Sequence, residues 1–276
     1  DVILPNPPFG GKEGKEAQTN FDYKTSATQV LFLQHVIRSL REGGRCGIVL
    51  DEGLLFRTNQ DAFTKTKRKL LDECDLWCVV SLPAGVFTAA GAGVKTNLLF
   101  FTKGQRTRTI WYYDLTDIKV RKKTPLTLKH FEDFMRLLPE RADSELSWTV
   151  DMDERKRIAA DEARPLKEQS TAKSQQAAQW SERLKALKKA KPRDDAAVEE
   201  AEAKVKELTR ESRDLAAKAK EIEDAVYDLK AVNPHKKAVV DTRTPEELMD
   251  TIEAKGREVA EALAALRGQS TTKGKS

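Results

Sequence analysis

The sequence predicts an α/β domain over roughly its first 120 residues and an all-α tail beyond about residue 160. Two observations carry this. Up to about Thr116, short apolar runs alternate with stretches of helical period, the pattern of a sheet covered by helices on both faces. Beyond residue 160, Ala, Glu, Lys, Arg and Leu dominate and aromatic residues nearly vanish.

The elements follow in order. Val2-Ile3-Leu4 reads as the end of a buried strand, which Pro7 and Pro8 stop by removing N–H donors and fixing φ. Residues 26–41 place Val30, Leu33, Val36, Ile37 and Leu40 on one helical face, ended by Gly43-Gly44. Cys46 to Leu50 suits a buried parallel strand. A helix over 59–74 carries Phe63, Lys67 and Leu70-Leu71 in its pattern, and Leu76 to Val80 forms the next strand. TNLLFFTKG and TIWYYDL are two more, and the sheet is expected to be mostly parallel. The glycine-rich loop at 88–97 is no P-loop: Val94 separates Gly93 from Lys95, and the loop leads into a strand.

Residues 121–160 form a connecting extension with a helix near 127–138. From Val198 a seven-residue repeat is countable: Val198, Val205, Ser212, Ala219 and Val226 in one position, Ala201, Leu208, Leu215, Ile222 and Leu229 in the other. Lys191-Pro192-Arg193 breaks the helix upstream, so the pattern predicts a hairpin of 166–190 against 194–231. Thr244-Pro245-Glu246-Glu247 supplies an N-cap, an N1 proline and first-turn acids for a last helix. It is expected to run to about Arg267 and stop at Gly268, with 268–276 disordered; residues 161–267 then form a helical region for docking another subunit.

Composition narrows the function. The 276 residues carry a formal charge of +5, too mild to establish a nucleic-acid partner by itself. Lys65 to Lys69 and Arg121 to Lys123 are local basic clusters. Three cysteines and three scattered histidines fit neither a disulfide scaffold nor a metal site, so no metal is expected. No apolar run approaches the ~20 residues of a membrane span, and the chain is expected to be cytoplasmic.

The informative stretch is Asn6-Pro7-Pro8-Phe9. At the carboxyl end of a strand in an open α/β sheet it faces the crevice where such folds bind ligands. An amide, a fixed carbonyl and a flat ring suit methylation of an amino group on an aromatic ring. Such a nitrogen is a poor nucleophile, because its lone pair is delocalised into the ring. The Asn6 side-chain oxygen and the Pro7 carbonyl can each accept one of its N–H bonds and turn the lone pair toward a methyl donor. No strong base is required, because positioning and fixed dipoles carry the rate. Phe9 stacks on the extruded base.

LPNPPFGG resembles the catalytic tetrapeptide of amino-methyltransferases that use S-adenosylmethionine. FDYKTSATQVLFLQHVIRSLREGGRCGIVLDEGLLF and VVSLPAGVF…GVKTNLLFFTKG resemble the modification subunit of type I restriction–modification systems and its N6-adenine DNA methylase relatives. DTRTPEELMDTIEAKGREVAEAL is similar to the tail of some members. The resemblance implies a Rossmann-like sheet, methylation of a flipped adenine in double-stranded DNA, and Asn6, Pro7, Pro8 and Phe9 as the catalytic residues. It implies S-adenosylmethionine as cofactor, with Asn6 at its methyl end. Most of that cofactor's site lies upstream of the tetrapeptide in the family, so the chain is expected to be a piece of a longer protein and inactive alone. Lys95, Thr96, Arg121, Lys122 and Lys123 are candidate DNA contacts, and a specificity subunit, with a restriction subunit beside it, is the expected partner set. Two alternatives stay open: a helical interaction module on a remnant methylase lobe, and methylation of protein glutamine or RNA.

Overall fold

The computed structural model describes residues 1–87, 94–121, 123–192, 194–230, 232–236 and 244–272. The chain divides into two compact units, Asp1–His235 and Lys236–Ser276.

In the first unit the order is β1 (Val2–Ile3), α1 (Lys15–Gln18), α2 (Thr28–Ser39), β2 (Arg45–Asp51), α3 (Glu52–Phe56), α4 (Asp61–Glu73), β3 (Cys74–Ser81), β4 (Thr96–Lys103), β5 (Thr109–Asp114), α5 (Glu132–Leu137), β6 (Ser147–Asp151), α6 (Met152–Lys189) and α7 (Asp195–Ala225). A 3₁₀ turn, Leu128–Phe131, precedes α5. The six strands form one sheet in the order β1-β2-β4-β3-β5-β6.

The sheet is mixed, which corrects the expectation of a mostly parallel one. β1 pairs parallel to β2 and β3 parallel to β5, but β4 lies antiparallel between β2 and β3, and β6 antiparallel to β5. The physical reason is the connection. No helix separates Ser81 from Thr96 among the described residues, so β4 returns beside β3 without the crossover a parallel pair needs. SWTVD adds a strand where the sequence suggested only a connector.

One core takes the predicted face of α2 (Val30, Leu33, Val36, Ile37), Leu70 and Leu71 of α4, and Ile48, Val79 and Leu99 of the strands. Each such side chain contributes about 1.5–3 kcal/mol on burial. Leu4 and Phe100 press on β2 at Gly47, where a Cβ would stand 3.1 Å from a side-chain carbon of each. Cys46, Cys74 and Cys78 are buried free thiols, pushed up to about 12 by burial.

The hairpin forms as α6 against α7, but α6 starts fourteen residues before the predicted 166. Asp151 caps it by accepting from the Glu154 N–H at 2.9 Å, and the helix runs through Pro165. Pro165 stays inside the helix although an interior proline costs roughly 3 kcal/mol, and Ala159 and Ala163 on the turns before it are buried. Val198, Ala201, Leu208 and Ala219 of the predicted seam are buried. The Ser170 and Ser212 hydroxyls each donate to the other residue's carbonyl, at 2.8 and 2.9 Å, so the seam's polar position is satisfied across the pair. α7 ends at Ala225, and Val226, Tyr227 and Leu229 turn into the core, where the Leu229 N–H donates to the Leu55 carbonyl at 3.1 Å.

The second unit holds α8 (Pro245–Thr272), which passes through Gly268 instead of stopping there. A helical glycine costs only about 1 kcal/mol. Residues 273–276 of the predicted tail lie outside the described residues.

Candidate active site

The loops after β1, β2 and β3 and the one entering β4 leave the same end of the sheet. An open cleft of about 630 Å³ lies there, walled by Phe9 to Lys12, the start of α2, α3 with Arg57, and Lys95.

The Asn6 side chain is exposed and makes no hydrogen bond with any described residue. Pro7 is buried and Pro8 exposed. Phe9 is half-buried, its ring 4.9 Å from that of Phe87 and tilted by 58°. Gly11, at φ +92°, lets the chain pass so close to α2 that a Cβ would meet the Thr28 Oγ1 at 2.8 Å. Two contacts sew the loop to α2: Thr28 Oγ1 donates to Glu13 Oε1 at 2.9 Å, and the Glu13 N–H to the Ser26 carbonyl at 2.8 Å. Gln29, buried at the second position of α2, links the tetrapeptide to β2. Its Nε2 donates to the Pro8 carbonyl at 3.3 Å, and its Oε1 accepts from the Asp51 N–H at 3.1 Å. Asp51 itself caps α3, its Oδ1 accepting from the Leu54 N–H at 2.7 Å, so it shapes the cleft wall.

Lys67 holds that wall from below. It is fully buried, and its Nζ donates to the Leu55 and Arg57 carbonyls at 2.6 and 2.8 Å. It closes the carboxyl end of α3, where orphan carbonyls need donors. The basic run at 65–69 is therefore not a free phosphate surface. Arg68 pairs with Asp224 at 3.3 Å over the Tyr227 ring, and Lys69 bonds Asp22 at 2.5 Å. The signal for Lys67 was its phase, in register with Phe63 and Leu70. Burial pushes its pKa down from 10.5 to about 7, against a weaker pull from Asp228. Between those values the unfolded chain binds more protons than the folded one, so stability rises with pH from about 7 toward 10.5 and the penalty is complete below 7. Urea unfolding at pH 6.5 and pH 9 should show this gain in the wild type and lose it in Lys67→Met; equal gains in both would contradict the assignment.

The candidate DNA contacts divide. Lys95 is exposed on the cleft rim, while its carbonyl accepts from the Glu52 N–H at 2.9 Å. Thr96 is buried in β4 opposite Asp51 and is withdrawn as a contact. Arg121 and Lys123 are exposed on a bend closed by the Arg121–Thr124 bridge, away from the cleft lining. Lys122 and residues 88–93 lie outside the described residues. Sequence reasoning missed Gln29 and Phe87, and put Lys67 in the apolar helical pattern without its role as a donor to the carbonyls of α3. Among the described residues no cluster could hold a metal ion, and no helix is long and apolar enough to cross a membrane.

An α/β sheet of this kind with a long helical extension defines a Rossmann-like methyltransferase fold. Residues 1–177 match the family model described as N-6 DNA Methylase, and the chain belongs to that family. It is 47% identical over 116 residues to the type I restriction enzyme EcoEI methylase subunit of Escherichia coli, covering 41% of this chain and 23% of that one. To the EcoKI methylase subunit of Escherichia coli K12 it is 38% identical over 150 residues, covering 50% and 28%. Among solved structures, a modification subunit of a putative type I restriction enzyme from Vibrio vulnificus YJ016 matches with a TM-score of 0.52 at 35% identity, covering 56% of this chain and 34% of that one. A chain from a structure addressing complex assembly and conformational transition of the type I R-M system matches with a TM-score of 0.56 at 31% identity, covering 96% and 44%. The chain thus spans about a quarter of the length of these curated relatives and less than half of these structures.

Proposed function

We propose that this chain carries the methyl-transfer end of a type I modification subunit, which methylates N6 of an adenine flipped out of double-stranded DNA. The observation that carries the reading is the Asn6 amide, exposed and without a hydrogen bond to any described residue, just beyond β1 in an N-6 DNA methylase. Asn6 fits the methyl end of S-adenosylmethionine; the rest of the cofactor is held by parts of the subunit that this chain does not span. When bound, S-adenosylmethionine supplies an electrophilic methyl group.

The residues of this chain hold the nucleophile. Asn6 Oδ1 and the Pro7 carbonyl accept the two N–H bonds of the adenine amine, which orients the nitrogen lone pair. A methylated amine would be acidic enough to lose its proton to water, so these two acceptors need only hold and orient the nitrogen, and no strong base is required of this chain. Phe9, braced by Phe87, stacks on the base. Stacking of about 1–3 kcal/mol offsets the cost of extruding it. Lys95 on the rim meets the phosphate backbone. On α8, the exposed Met249, Ile252, Val259 and Leu263 follow coiled-coil spacing and supply the docking stripe for a specificity subunit.

A reconstituted methylase containing this chain, given methyl-labelled cofactor with DNA, RNA and protein side by side, should label DNA alone, and digestion should release N6-methyladenine. Label in RNA or protein only, or no transfer at all, would overturn the reading.

A further inference from the structure

In a parallel ladder every second residue donates to the same neighbour, and two rungs four residues apart mark this register between β2 and the chain through β1. The Arg45 N–H donates to the Asp1 carbonyl at 3.0 Å, and the Val49 N–H to the Pro5 carbonyl at 3.3 Å. Pro5 and Pro7 have no N–H to offer, so only the carbonyl side of this ladder can continue. The next donor in step is the Asp51 N–H, and the next acceptor is the Pro7 carbonyl. That rung is absent. The Asp51 N–H goes to Gln29 Oε1 at 3.1 Å, and no described residue donates to the Pro7 carbonyl. The other end of the same amide donates to the Pro8 carbonyl at 3.3 Å.

We propose that Gln29 is the positioning residue of the tetrapeptide: its buried side chain takes the ladder bond that would otherwise occupy the Pro7 carbonyl, and so keeps that oxygen free for the substrate amine. The proposal rests on the role given above to Asn6 and Pro7.

A side-chain amide suits the position because it both accepts and donates. Its oxygen must face Asp51, since a backbone N–H can only donate, and its nitrogen then faces Pro8. No buried N–H is left unpaired by the exchange, so the ladder bond is replaced without a desolvation penalty. The Pro8 tie also fixes the peptide from which Phe9 projects. Gln29 is only 4% exposed, and its backbone is set by the helix, so the amide is held in place on both sides.

The test separates freeing the Pro7 carbonyl from simple bracing of the loop. In a reconstituted methylase containing this chain, Gln29→Met keeps the length but neither bond, and the Asp51 N–H returns to Pro7. It should lower kcat by ~10²-fold, the usual loss for one preorganised hydrogen-bond partner, with KM for DNA and Kd for the cofactor nearly unchanged. Gln29→Glu, assayed at a pH where its carboxylate is ionised, still accepts from Asp51 but cannot donate to Pro8, and should keep kcat within about tenfold of wild type. A crystal structure of Gln29→Met should show the Asp51 nitrogen within about 3.2 Å of the Pro7 oxygen. Wild-type kcat in Gln29→Met, or equal losses in the two variants, overturns the proposal. If Gln29→Met does not fold, Gln29→Glu decides alone, because a ~10²-fold loss there would make the Pro8 tie the controlling bond. Asn6→Ala run alongside distinguishes the two ideas. Full activity in Asn6→Ala removes the grip on the amine and this proposal with it; an inactive Asn6→Ala beside a fully active Gln29→Met overturns the positioning role alone.

Discussion

Replacing Asn6 by alanine is expected to lower methyl transfer by ~10²–10³-fold, the loss that follows removal of one preorganised polar group at a reacting centre. Cofactor affinity should stay nearly unchanged, because on this reading Asn6 touches only the methyl end. Folding should also be intact, since the side chain is exposed and bonds no described residue. Asn6→Asp keeps an acceptor oxygen at the same place and should retain more activity than alanine does. Filter-binding of labelled cofactor beside single-turnover transfer to DNA measures both quantities. An alanine variant that transfers methyl at the wild-type rate would remove Asn6 from the reaction.

Replacing Tyr112 by alanine should cost the fold about 3–5 kcal/mol, the range for truncating a large buried aromatic. Its ring lies nearly parallel to Trp148, with centroids 5.4 Å apart and an interplanar angle of 9°, and it is 2% exposed. Its hydroxyl donates to the Leu229 carbonyl at 3.4 Å, just after the hairpin returns to the sheet. Leu229 and Lys67 both donate to the Leu55 carbonyl, so the variant loosens the connection between hairpin and cleft wall as well as the core. Tyr112→Phe loses only that long hydrogen bond and should cost about 1 kcal/mol or less. Urea unfolding of the two variants gives both figures. A loss near 1 kcal/mol for alanine would mean that the ring is not packed as described.

α2 and α4 were legible because each carries an apolar face at helical spacing, as Val30, Leu33, Val36 and Ile37 do in α2, whereas the short α1, which buries no residue, and the five-residue α3 were not read from the sequence. Strand existence was equally plain, since the runs at 45–51, 74–81, 96–103 and 109–114 are apolar and bounded by turns. Strand direction was not, because it depends on what the chain does between strands. The glycine-rich stretch at 88–97, whose sequence carries no helical period, was the available clue to an antiparallel β4. The early start of α6 was hidden by Pro165, which marks a helix boundary more often than an interior position.

The tetrapeptide could be found from its residue types, because two prolines after a strand have few other uses. Gln29 could not, since its importance lies in register: it becomes visible only once the Val49 to Pro5 rung shows that Asp51 would next meet Pro7, beyond the end of β1. Lys67 had a phase but no partner in the sequence, as both of its acceptors are backbone carbonyls. Thr96 looked exposed because it follows a glycine-rich loop, yet pairing with Asp51 draws it into the sheet.

A crystal structure of the methylase with DNA and an unreactive cofactor analogue measures two distances that decide the matter: from the adenine N6 to Asn6 Oδ1 and to the Pro7 carbonyl oxygen. Both should fall within about 3.2 Å, with the base against Phe9. An adenine whose amine lies beyond about 4 Å from both oxygens, held by other groups, would contradict the proposed chemistry.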